Sequence, residues 1–230
     1  MVGPHQSHPA SNVHEVCVSS SLIYACESWG TSSVNSIEVP YRLGLKRALS
    51  IRETTNTEIV YTESDRVALC VRISKQQFKF WVTLKSYLDD DPGHPLKNLI
   101  QYGMQLNLPY LKYYSDLQSK YLTPINCETV MKNDFQTSIA EKIRSKSNND
   151  IDSRLGVYLE VNPNLTAPSQ CDDILECERV LITRYRCGSH NLNIEAGRLC
   201  NPIIPREERL CACNTDIQSL RHCLFDCTLL

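Results

Sequence analysis

Apolar positions recur at helical spacing along most of this chain, and alternating, strand-like patterning is scarce. From Ser33, a serine placed to cap, Val34, Ile37, Tyr41, Leu45 and Ala48 predict a first helix. Pro40 falls inside that pattern and is expected to kink or divide it. A short segment, Thr57 to Glu63, follows. The best-defined helix runs from about Val67 to Leu88. Ile73, Gln77, Phe80, Trp81, Leu84 and Leu88 mark its inner face, with Lys75, Lys79 and Lys85 outside.

Asp89-Asp90-Asp91-Pro92-Gly93 ends that helix. Pro95 and Pro109 each suit the first turn of a new one. Met131, Phe135, Ile139 and Ile143 predict another, from about Glu128 to Arg144. The polar stretch Ser145 to Asp152 reads as a hinge. A last long helix is expected from about Ser169 to Cys187, stopped by Gly188. The fold class is therefore mainly α. We expect an unstructured lead-in over 1–20, a helical thumb-like or connector bundle over 21–150, and a C-terminal helix with a loop-rich Cys/His tail over 151–230.

With 42 % hydrophobic residues in 230, the chain can build a packed core. No apolar run approaches the eighteen or so residues of a membrane span, and Met1 to Ala10 lacks the basic and apolar blocks of a secretory leader. We therefore expect an intracellular protein, nuclear or cytoplasmic, without a membrane partner. In that setting the twelve cysteines do not read as a disulfide framework, and Cys17, Cys26, Cys70 and Cys127 read as small buried hydrophobes. The net charge of −2 gives no whole-molecule attraction to nucleic acid, but six arginines against three glutamates between Arg179 and Arg209 make a local basic patch.

Two constellations invite an enzymatic reading. Tyr87-Leu88-Asp89-Asp90 spells the Tyr-x-Asp-Asp motif that holds metal-binding aspartates in reverse transcriptases. That chemistry needs a tight turn between apolar strands, whereas here a helical pattern precedes the motif and Pro92-Gly93-His94-Pro95 follows it. It reads as a solvated acidic helix exit. Cys187 and His190 suggest a thiolate–imidazole pair, but a cysteine at a helix C-terminus meets the negative end of the dipole. We expect no catalytic residue and no small-molecule substrate.

The tail carries more. Cys211, Cys213, His222 and Cys227 are spaced C-x-C-x8-H-x4-C, and three thiolates with one imidazole suit tetrahedral zinc in a structural role. The single residue between the first two cysteines is tighter than the usual two to four. Cys223, one full i, i+4 step before Cys227, is a rival to His222 for the third position.

The run Thr183-Arg184-Tyr185-Arg186-Cys187-Gly188-Ser189-His190-Asn191-Leu192-Asn193-Ile194-Glu195-Ala196-Gly197-Arg198, with Pro205-Arg206-Glu207-Glu208-Arg209-Leu210-Cys211, resembles the C-terminal region of LINE-type (non-LTR) retrotransposon polyproteins. There an RNA-directed DNA polymerase is followed by helices and a Cys/His knuckle. Tyr24-Ala25-Cys26-Glu27-Ser28-Trp29-Gly30 resembles the stretch leaving the polymerase palm. Tyr41-Arg42-Leu43-Gly44-Leu45-Lys46 and Lys79-Phe80-Trp81 resemble the helices after it. The resemblance implies a truncated reverse-transcriptase region that binds RNA or DNA without a polymerase active site. Arg184, Arg186, His190, Arg198, Arg206 and Arg209 would contact phosphates, and the zinc knuckle would hold their loop in shape. The alternative is a structural or protein-interaction zinc module with no nucleic-acid role, its arginines capping helices and pairing with Glu195, Glu207 and Glu208.

Overall fold

A computed structural model describes residues 19–29, 34–91, 93–121, 124–147, 154–166 and 175–229. The expected lead-in up to residue 18, the cap at Ser33, the later part of the hinge and the start of the last helix lie outside the described residues. The architecture is mainly α. After two short helical turns come α1 (Val34–Ala48), α2 (Thr57–Ser64), α3 (Leu69–Asp90), α4 (Pro95–Gln105), α5 (Pro109–Tyr121) and α6 (Pro124–Ser147). Then follow α7 (Arg154–Val161), α8 (Glu176–Arg186) and α9 (Asn193–Leu199). Among the described residues the β pairing is a single antiparallel bridge, Leu210 with Ile217.

The helix starts follow the local chemistry. His94 Nδ1 accepts from the Leu96 N–H at 3.2 Å, capping α4, and Pro95 takes the first turn where its missing N–H costs nothing. Pro40 does not divide α1, which continues across it to Ala48. A proline removes only one intrahelical bond, and buried Tyr41 and Leu45 just beyond it anchor the following turns.

The residues form two compact units. One comprises Pro9–Leu45 and Asp65–Lys142; the other gathers Lys46–Ser64 with Ile143–Leu230. The second grouping is discontinuous in the chain.

In the unit of Pro9–Leu45 and Asp65–Lys142, α3 is the central element. Trp81 packs with Leu111 and Tyr114 of α5, its ring stacked on Tyr114 at 5.2 Å. Its indole N–H donates to Gln118 Oε1 at 3.1 Å, which satisfies the one polar group it buries. A second cluster joins Phe78 to Cys127 and Met131 of α6. Phe80, expected inside, is 45 % exposed. It lies one residue, or about 100°, from Trp81, whereas Phe78 sits three residues back on the core side. At Gly103 a Cβ would come within 2.6 Å of Leu111 Cδ1, so glycine permits the close approach of α4 and α5. Cys26 and Cys127 are buried as expected, and burial pushes the Cys26 thiol up to about 11. Cys70 is exposed, against expectation.

Tyr87, Asp89 and Asp90 end α3 at the surface. Asp89 lies 4.0 Å from Lys97, and Tyr87 packs edge-on to His94. They sit on a helix end and not on a strand turn.

In the other unit the core includes a buried polar centre. Glu63 Oε1 accepts from Tyr158 OH at 2.7 Å and from Arg186 at 2.8 Å, while Asn162 donates to the Tyr158 oxygen. Burial raises the Glu63 carboxyl above its ordinary range, against the pull of Arg186. Gly188 adopts φ +62 after α8. The Cys187, Gly188 and Ser189 N–H groups donate back to Thr183, Tyr185 and Arg184 carbonyls, closing the helix as a glycine C-terminus should.

Candidate metal centre

The tail has little apolar material with which to fold. Leu220 is buried, but Leu210, Leu224 and Phe225 are exposed, the last by 80 %. Its shape comes from hydrogen bonds. The Cys211 N–H donates to the Asp216 carbonyl, and the Gln218 N–H donates to the Arg209 carbonyl, both at 2.9 Å. These bonds make a small hairpin around the Leu210–Ile217 bridge. At its turn the Asn214 N–H donates to the Cys211 carbonyl, and Asn214 takes φ 56, a conformation asparagine tolerates better than most residues. After the hairpin, Ser219 Oγ accepts from the His222 N–H at 3.1 Å and starts a single wide helical turn, His222–Asp226. Cys227 leaves that turn in an extended conformation.

This local folding brings four side chains to one point. Ligand atoms of Cys211, Cys213, His222 and Cys227 all lie within 4.8 Å of one another. Cys211 Sγ and Cys227 Sγ are 3.7 Å apart, and Cys213 Sγ is 3.0 Å from His222 Nε2. Zinc–sulfur bonds of about 2.3 Å at a tetrahedral angle require a sulfur–sulfur edge of about 3.8 Å, and a sulfur–nitrogen edge of about 3.6 Å. The first pair already has the required spacing; the second would open by about half an ångström. His222 is 2 % exposed and Cys211 4 %, so the centre is shielded on that side. The donor set and spacing fit zinc in a closed, structural shell.

The electrostatics favour the same chemistry. Cys213 is lowered to about 6, first by hydrogen bonds from Thr215 and then by His222. His222 is raised, chiefly by its contact with Cys213. Cys223, the rival third ligand, is not among the four convergent residues. Burial raises its thiol, and the neighbouring Cys211 adds to this.

The arginines expected on phosphates have diverse placements. Arg209 is 7 % exposed: Nε and Nη2 donate to the Ile204 carbonyl at 2.9 and 2.6 Å, and Nη1 donates to the Ile194 carbonyl at 3.0 Å. It ties the base of the hairpin to α9. A Cβ on Gly197 would lie 2.6 Å from Arg209 Nε, so glycine makes room for this clamp. Arg186 is ion-paired with buried Glu63. Arg198 lies 2.8 Å from Glu195, which Arg154 also holds. His190 is buried against Tyr185, its Nδ1 accepting from the Leu192 N–H at 3.3 Å, and burial lowers its pKa. Arg184 and Arg206 are exposed, with Arg184 Nε donating to the Ser50 carbonyl at 2.8 Å.

Several supporting residues escaped the sequence reading. Thr215 and Ser219 flank the ligands, and Asn193 Nδ2 donates to the Leu210 carbonyl at 2.7 Å. A hydroxyl two residues after a candidate cysteine and one three before a candidate histidine were the available signals. Cys187 is buried and its thiol is raised well above its ordinary value by that burial, which leaves it a neutral packing group. Among the described residues no helix is long and apolar enough to cross a membrane. No protein-family model, curated protein or solved structure matches the chain.

Proposed function

We propose that the tail from Arg209 to Cys227 folds around one structural zinc ion and shapes a nucleic-acid-binding surface, in the manner of the C-terminal region of a LINE-type reverse transcriptase. The observation that carries the metal half is the convergence of Cys211, Cys213, His222 and Cys227. The nucleic-acid half rests on the resemblance of residues 183–211 and on exposed Arg184 and Arg206. Arg209, Arg186, Arg198 and His190 then support that surface from within and do not touch phosphates. Asp89 and Asp90 take no part in this reading.

A second reading, a zinc module for protein contacts alone, is favoured by the arginines committed to internal partners. The two separate by the salt dependence of RNA or DNA binding. With two or three phosphate contacts, log K should fall against log salt with a slope of about −2 to −3. Arg184→Gln should reduce that slope by about one. Absence of salt-dependent binding to single- or double-stranded RNA or DNA would leave the second reading standing.

A further inference from the structure

The candidate metal centre gathers more sulfur than one zinc ion uses. Cys211, Cys213 and Cys227 converge with His222, and Cys223 stands beside Cys211 without joining them. Zinc has no redox chemistry of its own, so any electrons that leave the centre come from sulfur. The sulfurs are not equivalent. Cys213 Sγ faces His222 Nε2 and Thr215 Oγ1, each at 3.0 Å. Cys211 Sγ and Cys227 Sγ face each other at 3.7 Å, van der Waals contact for two sulfurs. A disulfide bond is about 2.05 Å long, so this pair has about 1.6 Å to close.

The two members of the pair differ in freedom. Cys211 is buried, and its N–H is tied to the Asp216 carbonyl at 2.9 Å within the hairpin. Cys227 is half-buried and leaves the wide turn in an extended conformation, close to exposed Leu229. Of the two, Cys227 is the sulfur that an incoming oxidant reaches and the one free to swing. With hydrogen peroxide as oxidant the chemistry balances in two steps. The Cys227 sulfur attacks one peroxide oxygen; an S–O bond forms, the O–O bond breaks, and the departing hydroxide takes a proton to leave as water. The Cys211 sulfur then attacks the Cys227 sulfenic acid; the S–S bond forms, the S–O bond breaks, and a second water leaves. Two electrons pass from sulfur to peroxide, and for zinc-bound thiolates the two protons come from solvent. The ion thereby loses two of its four donors.

We propose that Cys211 and Cys227 form a peroxide-driven disulfide that expels the zinc ion and joins the hairpin to the wide turn covalently in its place. This rests on the zinc reading of the tail. The test uses the full chain loaded with zinc, a chromophoric zinc indicator and hydrogen peroxide. Peroxide should release the ion, with peptide mapping under non-reducing conditions finding Cys211 linked to Cys227. Dithiothreitol with added zinc should then restore the loaded form. Cys227→His keeps four donors, two cysteines and two histidines, but removes the partner thiol, so its release by peroxide should be roughly tenfold slower or more. Cys223→Ser should release zinc as the parent does. Should Cys227→His take up no zinc, the mapped pairing in the parent decides alone. Zinc retained under peroxide, a disulfide other than Cys211 with Cys227 (Cys211 with Cys223 included), or equal release from the parent and Cys227→His would overturn the proposal while the zinc site stands. A chain that takes up no zinc would overturn the zinc reading, and the release with it.

Discussion

Replacing Arg209 by lysine separates two roles that the sequence alone leaves open. The guanidinium makes three hydrogen bonds to two carbonyls, those of Ile194 and Ile204, from a nearly buried position. Lysine keeps the charge, but its three N–H donors leave one nitrogen and cannot reproduce the planar guanidinium fork that spans both carbonyls, so one carbonyl loses a well-placed partner. A buried polar group left unsatisfied costs about 1–3 kcal/mol. The base of the hairpin must form for Cys211 and Cys213 to meet the other ligands, so this cost passes into metal affinity. The expected weakening of zinc binding is therefore roughly 5- to 150-fold, the upper end applying if all of the cost is coupled. Competition against a chromophoric chelator at pH 7 measures it. Gly197→Ala should weaken zinc in the same direction, because its Cβ would displace the Arg209 side chain. Unchanged zinc affinity in Arg209→Lys, with weaker nucleic-acid binding and a flatter salt dependence, would refute the clamp and return Arg209 to a phosphate.

Trp81→Ala should destabilise the chain by about 3–5 kcal/mol in denaturant titrations, and Phe80→Ala by under about 1 kcal/mol, since only the tryptophan is enclosed; equal effects would contradict the packing of α3. His222→Ala should weaken zinc strongly while Cys223→Ala does little, and the reverse order would refute the ligand set. The pH response follows from the two shifted ligands. The Cys213 thiolate, held down to about 6, stabilises the metal-free tail above its ordinary value and ceases to do so as pH falls through about 6. The His222 imidazolium, held up by Cys213, acts below its ordinary value and fades as pH rises through its raised one. Zinc needs both groups deprotonated, so protons compete with the metal more strongly as pH falls below about 6; zinc affinity should drop on acidification, and an affinity independent of pH across that range would contradict it.

Much of the helical order was legible because it depends on local rules. The α3 helix starts and ends two residues later than its apolar spacing indicated, and Pro95 and Pro109 begin helices as their fixed φ requires. Gly188 ends α8 through its positive φ. The error at Phe80 arose because the apolar arc on α3 is wide, and spacing cannot say which flank meets α6. The cluster that could hold a metal ion was readable from composition and spacing, whereas it is the turn that Ser219 starts which brings His222, and not Cys223, among the four convergent residues. The arginines were not readable at all. Whether a guanidinium faces solvent or a buried partner depends on long-range contacts: Arg186 meets Glu63, 123 residues away in sequence, and Arg184 meets Ser50. For the same reason the pairing of Lys46–Ser64 with the C-terminal half left no trace in the sequence.

The metal content of the purified full-length chain, read by native mass spectrometry with thiol labelling beside it, tests the central claim most directly. The account predicts one zinc per chain, with Cys211, Cys213 and Cys227 protected from alkylation until a chelator is added, and loss of the ion in Cys211→Ser. Zinc-free protein whose Cys211, Cys213 and Cys227 label freely from the outset, and which takes up no zinc when it is supplied, would contradict it.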